Sequence, residues 1–458
     1  MTVAEHPAVE TDIQVSGLTD HVVQWCSQLD LDTLPSSVLE VARHCLLDWI
    51  TVTVAGADDP LTSTLVDELG AEAEGVTLIG RGQRASVIDA ALINGAAGHA
   101  LDYDDVHLSM PGHPSAPLFP ALLAVAEDVA LDGRSLLRAA ICGLEAELRL
   151  GSLAKPDHYE RGWHATATVG TIGAAIACAE ALGADDAQRR DAIGLAVSQL
   201  AGVKSMFGTM GKPFQVGRAA ANGALAARLA VRGTTAHPNA LEDAQGFLPM
   251  YSGWDGSFEP WDHRSFELVD TLFKYHAACY FTHAGIDAAW ELRGRDIDPT
   301  QIRSIRLAAN PDNLSVCDIR EPGSGLQAKF SMTATSALAL LGIDTASPST
   351  YDDELVTQPQ VRDLIARTEV VTEPDLERTQ MTVTVELDDG RVERASGDSG
   401  RPDPDLDHQR ERLEAKAVQL VAPVLGDDAA RGLVAGARTV HELDDVTGLL
   451  ATVAGGED

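Results

Sequence analysis

A mainly α fold, with a large all-helical domain and a smaller α+β lid domain, is what this 458-residue sequence predicts. Three observations predict it. Ala-rich stretches with apolar or small residues at helical spacing follow one another up to residue 265, broken by Gly and Pro loops. Strand-like alternation is confined to residues 301–308 and 381–394. Apolar residues make up 45% of the chain and aromatic ones only 5%, so the core is built from small and aliphatic side chains on closely approaching helices.

Taken in order, residues 18–56 carry two amphipathic repeats, and Ser36-Ser37 is placed to cap the second. Ser86 opens a helix expected over 86–106. Further helices are expected over 117–131, 133–150, 166–182, 186–201 and 217–231. The pattern changes near residue 265: 301–308 reads as a strand, and 381–387 with 391–394 as a hairpin about Asp388-Asp-Gly390. Segments 331–341 and 353–366 between them look helical. An Asp/Pro/Gly linker at 397–407 leads into helical segments over 403–425 and from 427 on. The expected domains are 1–265, the first part of the helical domain; 266–400, the α+β lid; and 401–458, a helical return to the first domain.

The formal charge of −35 makes nucleic acid an improbable partner, because neutralising phosphate needs clustered Lys and Arg. No apolar run reaches the roughly 18 residues that span a bilayer. The acidic start has neither a charged n-region nor an apolar h-region, so a cytoplasmic location is expected. Cys26, Cys45, Cys142, Cys178, Cys279 and Cys317 form no C-x-x-C pair, which argues against a zinc ribbon, an iron–sulfur cluster or a disulfide framework. Neither a metal nor a cofactor is expected.

Two stretches carry the chemistry: His99-Ala-Leu-Asp-Tyr-Asp-Asp-Val-His107 followed by Gly112-His113-Pro-Ser115, and Gly211-Lys212-Pro213. Lysine occurs only six times, at 155, 204, 212, 274, 329 and 416, so a lysine in a Gly/Pro-flanked loop is a candidate anion ligand. In a helix running to 106, Asp102 and Asp105 share one face with His99 a turn earlier; the bland alternative is a solvated carboxylate face. A magnesium-diphosphate site would need a second carboxylate cluster, and Leu443-Asp-Asp-Val446 is a poor one. His113 and His164 both precede helices, capped in this expectation by Ser115 and Thr166, and the positive helix end favours neutral imidazole. Lys212, pushed into extended geometry by Pro213, lies just before a helix expected from 217 and can pair with a carboxylate beside its free N–H groups. Lys274 sits where the chain crosses between domains. Gly170-Thr-Ile-Gly173 lacks the dinucleotide spacing, so its glycines are read as allowing close helix packing.

The segments HALDYDD with GHPSAPLFPALLA, GWHATATVGTIGAA, GKPFQVGRAAANGALAA and KYHAACYFTH, with AKFS at Ala328–Ser331 matching weakly, resemble the MmgE/PrpD family in order and spacing over nearly the full length. That family includes 2-methylcitrate dehydratase, cis-aconitate decarboxylase and iminodisuccinate epimerase. The resemblance implies an all-helical domain, an α+β lid, a homodimer, and catalysis without metal or organic cofactor. It places Asp102, His113, His164, Lys212 and Lys274 in the active site. Cys279 stands where the decarboxylases have a histidine, and Val106 where they have a threonine; both departures weigh against decarboxylation.

The expected activity is that of a lyase acting beside a carboxylate of a small polycarboxylic acid. Lys212 and Lys274 would hold carboxylates, His113 and His164 would move protons, Asp102 would orient a histidine or hold its charge, and Cys279 would face the substrate. Dehydration of a 2-methylcitrate-like hydroxy acid leads. Epimerisation of a small dicarboxylate such as iminodisuccinate follows, then decarboxylation. The reading from a different class is a helical dimer without activity.

Overall fold

The computed structural model describes residues 17–456 apart from 71, 73 and 296. Numbering the longer helices only, the chain opens with α1 Leu18–Gln28, α2 Ser36–Ala55 and α3 Pro60–Leu69, and a short hairpin of β1 Val76–Thr77 with β2 Arg84–Ala85. There follow α4 Val87–Ala100, α5 Ser115–Asp128, α6 Gly133–Ala154, α7 Ala165–Ala181, α8 Asp186–Val197 and α9 Gly211–Ala230. Ser86 caps α4 as expected, its Oγ accepting from the Asp89 N–H at 3.2 Å. Ser36, by contrast, is the first residue of α2, whose N-cap Pro35 has no side-chain hydrogen bond to offer.

Helices α5, α7 and α9 pack on one another and α4 packs on α5 and α9, and small residues make this geometry. A methyl group on Gly217 of α9 would stand 2.3 Å from the Leu92 carbonyl of α4, and one on Gly170 of α7 2.3 Å from Pro117 of α5. The Gly170-Gly173 pair therefore serves close approach, as its sequence context indicates.

The α+β region contains α10 Tyr280–Arg293, β3 Ile302–Ala309, α11 Met332–Leu340, α12 Pro359–Ala366, β4 Thr368–Thr372, β5 Gln380–Leu387 and β6 Val392–Asp398. Its sheet has the order β4-β3-β5-β6, with β3 and β4 parallel and the other pairs antiparallel. Helix α10 covers β5 and β6 and packs on α11. α10, β4 and the β1–β2 hairpin were not anticipated: β4 is half-exposed and short, and α10 begins inside a motif rich in aromatic and histidine residues.

The chain returns through α13 Leu406–Leu425 and α14 Asp427–Arg438, and α13 lies along α2. One hydrophobic cluster takes its residues from α1–α9, α13 and α14. A second is built on the sheet, α10 and α11, and draws in Tyr103, Val52 and Leu420 from the bundle, which makes the seam between them continuous. Among the described residues no helix is long and apolar enough to cross a membrane.

Candidate active site

The expected helix over 86–106 ends at Ala100. Asp102 has φ +52°, a left-handed conformation that a short polar side chain tolerates, and the chain then leaves the helix altogether. Val106 instead pairs with Leu272, its N–H donating to the Leu272 carbonyl at 2.7 Å and its carbonyl accepting from the Leu272 N–H at 2.8 Å. Asp102 and Asp105 thus do not share a helical face. The bridge to Leu272 brings the Asp102 turn against Lys274, whose Nζ donates to the Asp102 carbonyl at 2.5 Å and lies 3.3 Å from its carboxylate Oδ1.

Lys212 is also placed differently from expectation. Helix α9 starts at Gly211, so Lys212 is in its first turn rather than in a preceding loop. Pro213 is tolerated there because its missing N–H would have had no helical partner. From this turn Lys212 Nζ donates to Asp102 Oδ1 at 2.6 Å. Burial pushes the Asp102 carboxyl up, but the ammonium groups of Lys212 and Lys274 outweigh it and hold it well below the usual carboxylate range. Lys212 is correspondingly raised: burial lowers it, and Asp102 more than reverses this.

His113 precedes α5, and its Nδ1–H donates to the Asp105 carbonyl at 2.8 Å, leaving Nε2 with a lone pair 3.6 Å from Asp102. Its backbone N–H donates to Thr166 Oγ1 at 3.1 Å. Neither expected cap forms: Ser115 turns its hydroxyl and N–H to Asp105 behind the site, and Thr166 serves His113. His164 is the N-cap of α7, and its Nδ1 accepts from Gln215 Nε2 at 2.6 Å. The Gln215 amide is oriented by Val203, whose N–H it accepts, so the His164 proton sits on Nε2. The two imidazoles present opposite faces of the same chemistry, a lone pair at one and an N–H at the other. Burial, aided by Lys212, pushes both well below the usual histidine value, which favours the neutral imidazole at each.

Cys279 is the N-cap of α10, with its N–H donating to the Lys329 carbonyl at 2.9 Å. The Cys317 thiol beside it lowers the Cys279 pKa, against burial. Asp102, His113, His164, Lys212, Lys274, Cys279 and Val106 all line one cavity of ≈ 540 Å³. The N-terminal ends of α5, α7, α9 and α10 therefore open on the same space, and their dipoles add to two ammonium groups. A local anion site is built in this way against the charge of the whole chain.

The sequence placed His99 beside Asp102 without giving it a role, and Asp104 and Gln215 were not singled out. His99 Nδ1–H donates to Asp104 Oδ2 at 2.8 Å, and its ring stands 4.7 Å from that of His113. Gln215 is three residues after Lys212, one helical turn, a spacing that could have drawn attention to it. Lys204 lies outside the cluster, with its Nζ 3.5 Å above the Tyr159 ring. His99, Asp102, Asp104 and His113 are close enough to surround a cation, but two ammonium groups already occupy Asp102 and a proton occupies Nδ1 of His113. That donor set suits an anion neutralised by lysine rather than a metal ion.

A helical bundle joined to an α+β layer thus carries two lysines and two oppositely protonated histidines together in its seam. Residues 20–258 match the MmgE/PrpD N-terminal domain and residues 276–439 the MmgE/PrpD C-terminal domain. The chain belongs to the MmgE/PrpD family. It is 31% identical to a cis-aconitate decarboxylase of Aspergillus terreus, over 76% of this chain and 77% of that protein. It is 27% identical to the cis-aconitate decarboxylase of Homo sapiens, over 97% of this chain and 92% of the relative. The corresponding Mus musculus enzyme is 24% identical over 97% and 94%.

Proposed function

We propose that this chain is a lyase acting beside a carboxylate of a small polycarboxylic acid, without metal or organic cofactor, and that its reaction is decarboxylation of a cis-aconitate-type acid. The observation that carries the reading is the meeting of Lys212, Lys274 and four helix N-termini in a cavity that also holds His113 and His164. The names of the relatives favour decarboxylation over the dehydration expected from sequence. In this reaction the carboxylate on the saturated carbon leaves as CO2, and the pair from the broken C–C bond forms a new double bond. The former alkene carbon, next to a second carboxylate, takes a proton. Charge builds on that second carboxylate, where Lys212 and Lys274 stabilise it most in the transition state. A bound polyanion also reverses the electrostatics at the histidines and lifts their pKa values. His113 Nε2 is then the atom that holds and delivers the proton, while His164 Nε2–H donates to a substrate carboxylate.

A second reading is dehydration of a 2-methylcitrate-like hydroxy acid. The opposite protonation of the two imidazoles supports it, because elimination of water needs one group to take a proton and another to give one. Proton NMR in deuterium oxide, with cis-aconitate, 2-methylcitrate, citrate and iminodisuccinate, each with and without chelator, separates the readings. The expected result is CO2 loss from cis-aconitate with one deuteron in the product and no effect of chelator. Loss of water from a hydroxy acid transfers the assignment to dehydratase, and deuterium wash-in without elimination to epimerase. Silence on all four acids, or inhibition by chelator, refutes the proposal. The assembly we propose is a homodimer, supported by the exposed Met206, Met210 and Phe214 around the start of α9; light scattering should give twice the chain mass.

A further inference from the structure

Resting on that reading of the site, we infer that Arg378 is the substrate ligand of the α+β region: its guanidinium takes the carboxylate of the polyacid that the lysines do not hold. Arg378 lies just before β5 and lines the same cavity as Lys212 and Lys274. Among the described residues it has no ion pair; its Nε is buried without an acceptor, and its terminal nitrogens are left for a ligand. A half-buried guanidinium in that state is costly unless an anion completes it. The acids nearby do not. Asp398 is engaged by Arg401 Nε at 3.0 Å, by Gln380 Nε2 at 3.0 Å and by Thr379 Oγ1 at 3.2 Å. Glu377 is exposed where it meets the cavity and keeps its hydration.

Arg378 is also held ready. Its guanidinium stands 4.7 Å from the centroid of the Phe281 ring. Its backbone is pinned on both sides: the Leu376 carbonyl accepts from Asn310 Nδ2 at 2.6 Å, its own from Asn313 Nδ2 at 2.8 Å, and that of Thr379 from the Ser399 N–H at 3.0 Å. A ligand fixed in this way loses little freedom on binding. The lysine end is close by. Phe281 follows Cys279 by two residues in the first turn of α10, a rise of about 3 Å. Tyr159, across the seam on the bundle side, lies between the charges: burial raises its phenol, and Arg378 and Lys212 both act against that. A carboxylate matches the guanidinium fork, whereas an uncharged group would leave it unanswered. Arg378 therefore sets specificity, favouring three carboxylates over two.

The test measures binding to the full chain by calorimetry. Tricarballylate and methylsuccinate share a skeleton, the second having a methyl group where the first has a carboxymethyl group. The parent is expected to bind tricarballylate about tenfold tighter or more, the worth of one charge-assisted bond. Arg378→Gln should abolish this preference and leave methylsuccinate binding within about twofold, whereas a merely structural role would weaken both acids alike. Arg378→Lys keeps the charge but not the fork; it should narrow the preference about threefold, and it decides the matter if the glutamine variant folds poorly. A parent without the preference, or a folded variant that retains it in full, overturns the inference. Continued decarboxylation of cis-aconitate in that case leaves the proposed reaction standing. No turnover of cis-aconitate by a parent whose preference is lost in Arg378→Gln refutes the reaction and upholds the arginine.

Discussion

At the scale of single residues, the site depends on how one carboxylate is shared. Lys212 and Lys274 both lie on Asp102 Oδ1, but only Lys212 is free of a backbone carbonyl and able to turn to a substrate. Lys212→Ala should lower kcat by about 10²–10³, the cost of removing one donor to developing charge, and leave the unfolding midpoint nearly unchanged because Lys274 still neutralises Asp102. Behind the site, burial raises the Asp105 carboxyl to about 8. Its folded pKa lies above the unfolded value, so the native state holds more protons between the two and stability falls as pH rises towards 8. Asp105→Asn, which can keep both hydrogen bonds to Ser115, should remove that slope and be the more stable protein at pH 8 by about 1–4 kcal/mol. Urea titrations at pH 5 and pH 8 check this; parallel curves for variant and parent would rule it out. The identities of Asp102, His113, His164, Lys212 and Lys274 were legible in the sequence because scarce lysines and loop histidines stood out in it. Their partners were not, because the left-handed turn at Asp102 and the Gln215–His164 bond depend on chain segments distant in sequence.

At the scale of elements, the relation of α9 to α4 sets where Lys212 stands. The two helices touch through Gly217 and the Leu92 carbonyl, with no room for a side chain. Gly217→Ala should push α9 outward, cost about 1–3 kcal/mol of stability by overpacking, and raise KM as Lys212 withdraws from Asp102. Denaturant unfolding together with steady-state kinetics tests this, and parental stability would refute the close-contact argument. Helix starts were read with mixed success for a physical reason. Ser86 caps α4 because its hydroxyl meets an N–H of its own helix, whereas Ser115 and Thr166 turn theirs to groups beyond their own helices.

At the scale of the whole molecule, Lys416 joins three parts. From α13 its Nζ donates to Asp48 of α2 at 2.6 Å, to the Tyr103 carbonyl at 2.9 Å and to the Lys274 carbonyl at 2.9 Å. It is 5% exposed and thus holds the backbone on both sides of the site from within. Lys416→Met should cost about 3–5 kcal/mol, the penalty for leaving Asp48 buried and unpaired, and should reduce kcat as well. Adding Asp48→Asn should restore part of the stability but not the activity. Recovery of both together would mean that the carbonyl contacts do not position the site.

Helical and strand periodicity, the scarcity of lysine and the ordered motifs were enough for the sequence alone to determine a mainly α fold with a smaller α+β region and the residue types of the site. They are local or compositional properties, expressed wherever the chain goes. Only the tertiary structure decided that Asp102 leaves its helix, that Lys212 acts from within one, that the two histidines carry their protons on opposite nitrogens, and that Arg378 reaches their cavity from the α+β region. Each of these depends on contacts between residues far apart in the chain, and such contacts exist only once the helices and the sheet have packed.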